Sequence, residues 1–112
     1  MSFDMHKLMR QAQKLQDEMK RLQDELADRS VEATAGGGMV RAKVTGDKRL
    51  VELVLDKQVV DPSDIDLLQD LIIAAVNEGH RMAEEMVAEE MGKLAQSFGL
   101  PGLPGLAPGR GR

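Results

Sequence analysis

The chain contains no cysteine, no tryptophan and no tyrosine, and only two phenylalanines, Phe3 and Phe98. Without cysteine, disulfides and thiolate metal sites are excluded, and a reducing compartment fits the usage. Without aromatics, the core must be assembled from Leu, Val, Ile, Ala and eight methionines. Such a core favours helix pairing and burial between subunits. Stacking of bases on aromatic platforms is also excluded as a main binding mode, so any nucleic-acid contact would run through phosphates and shape. No apolar run approaches the roughly 18 residues of a membrane span, and the N-terminus lacks the apolar segment of an export signal. A cytoplasmic protein with no membrane partner is expected.

At 112 residues the chain is one domain of ordinary size. Its net charge is −4, which by itself speaks against a polyanionic partner. The charge is unevenly placed. Residues 61–98 carry nine acidic groups against two basic ones, whereas within residues 1–16 only Asp4 opposes Lys7, Arg10 and Lys14. A cationic face can exist on an acidic protein when the signs are separated in space.

The first helix carries two regular stripes. Met5, Leu8, Ala12, Leu15, Met19, Leu22 and Leu26 are spaced alternately three and four apart. That is an unbroken a/d heptad seam, which needs a partner helix. Lys7, Lys14 and Arg21 recur every seven residues at position c, on a different face, with Arg10 beside them. The helix is predicted over Asp4–Asp28, with Asp4 as its cap. Its length of nearly 38 Å, at about 1.5 Å per residue, is large for so small a domain, so part of it should project. Pairs Asp17 with Arg21, Lys20 with Asp24 and Arg21 with Glu25, all four apart, are expected to neutralise Lys20 and Arg21 in part.

The period then changes to two. Ser30–Ala35, Met39–Thr45 and Leu50–Asp56 read as three strands of an antiparallel meander. Gly36-Gly37-Gly38 and Gly46-Asp47 are its turns, with Gly46 suited to positive φ. Short strands have exposed edges, which a second subunit would cover. Asp61 as N-cap and Pro62 at the first helical position start a second helix, which runs to Phe98 and stops at Gly99. Its first part, Ile65–Val76, is apolar on most faces and should be buried against the sheet. Its later part is amphipathic and is a natural antiparallel partner for the seam of the first helix. Gly79 and Gly92 point to close packing or a bend. Residues 1–98 form the folded domain, and the Gly/Pro-rich residues 99–112 are expected to be disordered.

Catalytic chemistry finds little support. His6 and His80 lie on different helices with no evident partner, and the four serines lack a nucleophile-elbow context. Asp61, Asp64, Asp66 and Asp70 fit helix capping and a solvated face better than a cation site, since no EF-hand spacing is present. The triple glycine precedes a strand, not a helix, so it lacks the geometry of a phosphate loop. No enzyme, metal or cofactor is expected.

Three stretches resemble the YbaB/EbfC family of bacterial nucleoid-associated DNA-binding proteins. They are Leu8-Met9-Arg10-Gln11-Ala12-Gln13-Lys14-Leu15-Gln16, Gly38-Met39-Val40-Arg41-Ala42-Lys43-Val44-Thr45-Gly46, and Leu67-Leu68-Gln69-Asp70-Leu71-Ile72-Ile73-Ala74-Ala75-Val76-Asn77-Glu78. Their order and spacing carry the similarity. The resemblance implies an α+β subunit of α-β-β-β-α order, dimerising with itself to present protruding helical arms. It further implies binding of double-stranded DNA, a place in the nucleoid and an influence on gene expression. Family genes often neighbour those of clamp-loader and recombination-mediator proteins, which implies partners in replication and recombination. The arms are thought to hold DNA in the family. Carried over here, that role falls to Lys7, Arg10, Lys14, Lys20 and Arg21, with Arg81 and Lys93 as secondary candidates. The alternative is a protein-interaction adaptor whose seam and acidic second helix contact other proteins, with incidental DNA affinity.

Overall fold

A computed structural model describes residues 4–100. The elements are α1 (Met5–Asp28), β1 (Ser30–Ala35), β2 (Val40–Thr45), β3 (Leu50–Leu55), a single 3-10 turn (Lys57–Val59) and α2 (Ile65–Ser97). This is the α-β-β-β-α order read from the sequence. The expected disorder of the tail lies outside the described residues from 101 onward.

The strands form one antiparallel sheet in the order β1-β2-β3. Ala33 faces Ala42 across the first pair, and Ala42 faces Leu53 across the second. Directly opposed residues share a face, so the alternation of β2 decides the layering. Val40, Ala42 and Val44 are fully buried beneath α2, while Arg41 and Lys43 point the other way. On that outer face Lys43 pairs with Glu52 at 3.2 Å, and Arg41 with Glu32 at 3.9 Å. The register shifts between Lys43 and Val44, leaving Val51 without a partner opposite it.

Two glycines are required by contact. An added Cβ at Gly79 would lie 2.6 Å from Val44 Cγ2, so α2 crosses β2 at a distance only glycine allows. Gly92 has nothing within 4 Å of such an atom, so packing does not explain it. Gly46 does not adopt the positive φ expected of it; Lys48 does, at 68°. At Gly46 the constraint is steric, since a Cβ there would run into the carbonyl oxygen of Leu26.

The start of α2 also differs from the expectation. Asp61 Oδ1 accepts from the backbone N–H of Ser63 at 2.9 Å and from its hydroxyl at 2.8 Å. These bonds close a turn and hold the Asp61 carboxyl below the usual range, the backbone bond contributing most. Asp64 is the true cap and accepts from Leu67 N at 3.2 Å. The far end is as read. Gly99 has φ 75°, its N–H reaches Gln96 O, and Leu100 N–H reaches Ala95 O. That is a Schellman termination, in which glycine supplies the left-handed residue.

The first turns of α2 are less enclosed than their composition implies. Ala75 is buried and Leu68, Leu71, Ile72 and Val76 pack on the core, but Ile65, Leu67 and Ile73 remain 46, 48 and 57% exposed. A single helix face meets the sheet, so residues about 100° away around the axis cannot be covered by it. Among the described residues, half of the ten buried apolar residues are alanines, and the largest side chains fully enclosed are Leu26, Val40 and Val44.

Candidate nucleic-acid interface

The two helices leave the sheet side by side. Leu26 of α1 and Val87 of α2 both border Gly46, whereas Leu8 and Leu15 share a notch with Phe98 at the other end. The helices are therefore antiparallel, as the seam requires. Met91 and Ala95 of α2 are each only 5% exposed, and Leu15, Met19 and Leu22 of α1 are half-buried. Burial then fades outward, to 48% exposure at Leu8 and 55% at Met5. Leu8, Ala12 and Leu15 line an apolar notch of about 220 Å³ with Phe98 and Leu100. The pair is an arm, and its outer turns run past the end of α2. The fold spans 76 × 28 × 15 Å with a radius of gyration of 19.7 Å. A compact chain of this length would have about 13 Å.

The root of the arm is tied to the sheet. Gly46 N–H donates to Arg29 O at 2.9 Å. Arg49 donates to Asp47 at 2.8 Å and to Asp28 at 3.1 Å, linking the β2–β3 turn to the last turn of α1. Thr45 Oγ1 donates to Asp47 Oδ1, and this bond is the first cause of an Asp47 carboxyl held below its ordinary range. A long helix with such a root points in a defined direction.

At 3.6 residues per turn, Lys7, Arg10, Lys14 and Arg21 fall within about 60° of one another, some 140° from the seam. The stripe therefore faces largely away from α2, with Lys14 alone of its members bordering a notch shared with Leu94, Ser97 and Phe98 of α2. Lys20 stands roughly 80° outside that sector by the same geometry. Ion pairing separates the cations further. Among the described residues, Lys7, Arg10, Lys14, Lys20 and Lys57 alone of the lysines and arginines have no carboxylate oxygen within 4.0 Å. Four of these five lie on α1.

Arg21 is the exception on the stripe. Its Nη2 donates to Glu18 Oε1 at 2.6 Å, which raises the guanidinium pKa and lowers that of the carboxyl. The expected pairs of Arg21 with Asp17 and Glu25, and of Lys20 with Asp24, do not form. Asp17 instead accepts from Gln13 Nε2 at 3.1 Å, and Glu18 reaches Arg21 from three residues back. Spacings of four in the sequence do not reveal the role of Glu18; its spacing of three from Arg21 is the signal that does. Arg81 is held between Glu78 at 2.7 Å and Glu85 at 3.4 Å, and Lys93 lies 3.3 Å from Glu90. The secondary candidates are thus engaged within α2. The arrangement presents positive charge on a rigid rod, with no group of three or more His, Asp or Glu among the described residues placed to hold a metal ion. No described helix is long and apolar enough to cross a membrane.

Known proteins match this chain over most of its length. The sequence profile of the YbaB/EbfC DNA-binding family matches residues 1–98. A nucleoid-associated protein of Syntrophobacter fumaroxidans is 55% identical over 100 residues, covering 88% of this chain and 91% of the relative. One from Thermoanaerobacter pseudethanolicus is 48% identical over 101 residues, covering 90% and 91%. The crystal structure of an uncharacterized Helicobacter pylori protein is similar with a TM-score of 0.58 and 25% identity, over 70% of this chain and 92% of that one.

Proposed function

Because this chain belongs to the YbaB/EbfC DNA-binding family, we propose that it is a cytoplasmic, nucleoid-associated homodimer that grips duplex DNA by its phosphates and catalyses no reaction. The observation that carries this reading is the concentration of unpaired cations on α1. Lys7, Arg10 and Lys14 share one sector of a projecting helix and have no internal carboxylate to satisfy them. Lys7 and Lys14 stand about 10.5 Å apart along the axis, roughly three base-pair steps of duplex rise. Lys20 and Arg21 play lesser parts, the first turned aside and the second engaged by Glu18. The described chain offers Phe98 alone for stacking, and it lines the notch beside α1, so base-specific readout has little to work with.

Phosphate gripping has a salt signature. Three cations in each of two subunits neutralise six phosphates, so log K should fall with log salt with a slope near −5. Fluorescence anisotropy on random-sequence duplex across a salt series measures it. A flat line would remove the mechanism and favour the adaptor reading. On the adaptor reading, partners from replication and recombination would remain bound after nuclease treatment.

The dimer is supported by what the subunit leaves uncovered. Leu53 lies on the α2 side of the sheet opposite buried Ala42, yet is 38% exposed, because α2 packs mainly over β1 and β2. Leu50 and Ile73 are 43% and 57% exposed. A core half made of alanine gains from a second apolar face across β3 and the start of α2. Leu53→Asp is expected to yield monomer by light scattering and to reduce the salt slope from about −5 to about −3, since one subunit brings three contacts. A dimer of unchanged stability would place the interface elsewhere.

A further inference from the structure

Glu18 flanks the cationic stripe, about 20° outside it on the side toward the seam. Lys14 lies four residues before it and Arg21 three residues after it, and both neighbours belong to the stripe. The Glu18 side chain is 34% exposed, against 63% for Arg21. It sits in a notch between the helices lined by Gln11 and Lys14 of α1 and by Leu94, Ser97 and Phe98 of α2. Arg21 donates to it at 2.6 Å, and the Coulomb field of Lys14 adds to that of Arg21 in keeping the carboxyl ionised.

We propose that Glu18 is an internal competitor for the DNA backbone, withholding Arg21 from phosphate and confining the grip of α1 to its outer two heptads. The inference rests on the phosphate-gripping reading and adds a residue that limits it. In Lys7, Lys14 and Arg21 the heptad repeat provides a line about 21 Å long, and Glu18 cancels its inner third. The consequence is moderation of affinity. A nonspecific binder covering long stretches of duplex must also release, and each extra phosphate contact makes release steeper in salt.

The test compares full-length wild type with Glu18→Gln, Arg21→Gln and the double variant on one random-sequence duplex across a salt series. Glutamine keeps the shape of residue 18 and removes its charge, and circular dichroism checks that the helices persist. Glu18→Gln should steepen the slope by about 2, one new contact per subunit, and tighten binding by up to about 30-fold at 0.1 M salt, the most that release of two surface ion pairs supplies. Arg21→Gln alone should leave the slope at the wild-type value, and the double variant should return to it. A Glu18→Gln slope equal to wild type would overturn the inference. So would a flattened slope in Arg21→Gln, which would show Arg21 already on phosphate, or a steep slope surviving in the double variant. A wild-type slope of zero would instead remove the phosphate-gripping reading itself, and the role of Glu18 with it.

Discussion

Reversing Lys7 and Lys14 together, as Lys7→Glu with Lys14→Glu, is expected to abolish detectable DNA binding while leaving the dimer intact. The two residues represent four of the six phosphate contacts once both subunits are counted. Each contact changes log K by about 0.9 per decade of salt, so four are worth a factor of roughly 10³ or more at 0.1 M relative to 1 M. Reversal adds repulsion beyond simple neutralisation. The fold should tolerate the change, because both side chains are exposed and neither forms an ion pair, although Lys14 borders the notch against α2. Lys7 lies in the first turn of α1, where a negative charge favours the helix dipole by about 0.3–1 kcal/mol. Reversal at residue 14 opposes Glu18 four residues on, a penalty of a few tenths of a kcal/mol. Anisotropy and light scattering on the same sample separate the two effects. Unchanged affinity in this variant would move the site off the arm.

The second large effect is on folding. Gly46→Ala is expected to destabilise the protein by about 3 kcal/mol or more, since the added methyl meets a main-chain carbonyl that no rotamer change can clear. Gly46 bridges the arm and the sheet: its N–H donates to Arg29 O while its Cα rests on Leu26 O. Relief requires the last turn of α1 to separate from the end of β2, and Leu26, 1% exposed, would lose its enclosure. In thermal unfolding at fixed protein concentration this corresponds to a loss of roughly 10–20 °C. Gly92→Ala is the matched control, because a Cβ there touches nothing and the helix gains about 1 kcal/mol of propensity. If both variants melt alike, the close approach at Gly46 is not what holds the arm to the sheet.

Both experiments bear on one design. The arm is long and charged at its outer end, and its root is a tight backbone contact reinforced by the Asp28–Arg49–Asp47 bridge. Surface ion pairs of this kind contribute little energy individually, typically 0–1 kcal/mol. Their value here is angular, since they restrain the direction in which the cations are presented.

The element order was legible from residue periods alone. A strict three–four alternation from Met5 to Leu26 specified α1 and its need for a partner helix, and alternation in Ser30–Ala35 and Met39–Thr45, followed by the mostly apolar Leu50–Asp56 with turns between them, specified the meander. These signals are local, set by 3.6-fold and two-fold geometry, and neighbouring residues suffice to reveal them. The cationic line Lys7, Lys14 and Arg21 was visible in the same way. Tertiary structure decided the rest, because the deciding atoms are distant in sequence or depend on side-chain rotamers. Whether Asp61 or Asp64 caps α2 turned on Ser63 claiming the first carboxylate. Whether Gly46 served φ or space turned on Leu26, twenty residues away. Which apolar residues of Ile65–Val76 are covered turned on how α2 lies across two strands of three. Which stripe cations remain available turned on Glu18 reaching Arg21 at 2.6 Å while Lys7, Arg10 and Lys14 reach no carboxylate at all. Sequence determined where the charges lie along the chain. Their availability to a phosphate was decided by which side-chain rotamers meet, since a charge is less available once a neighbouring carboxylate is hydrogen-bonded to it.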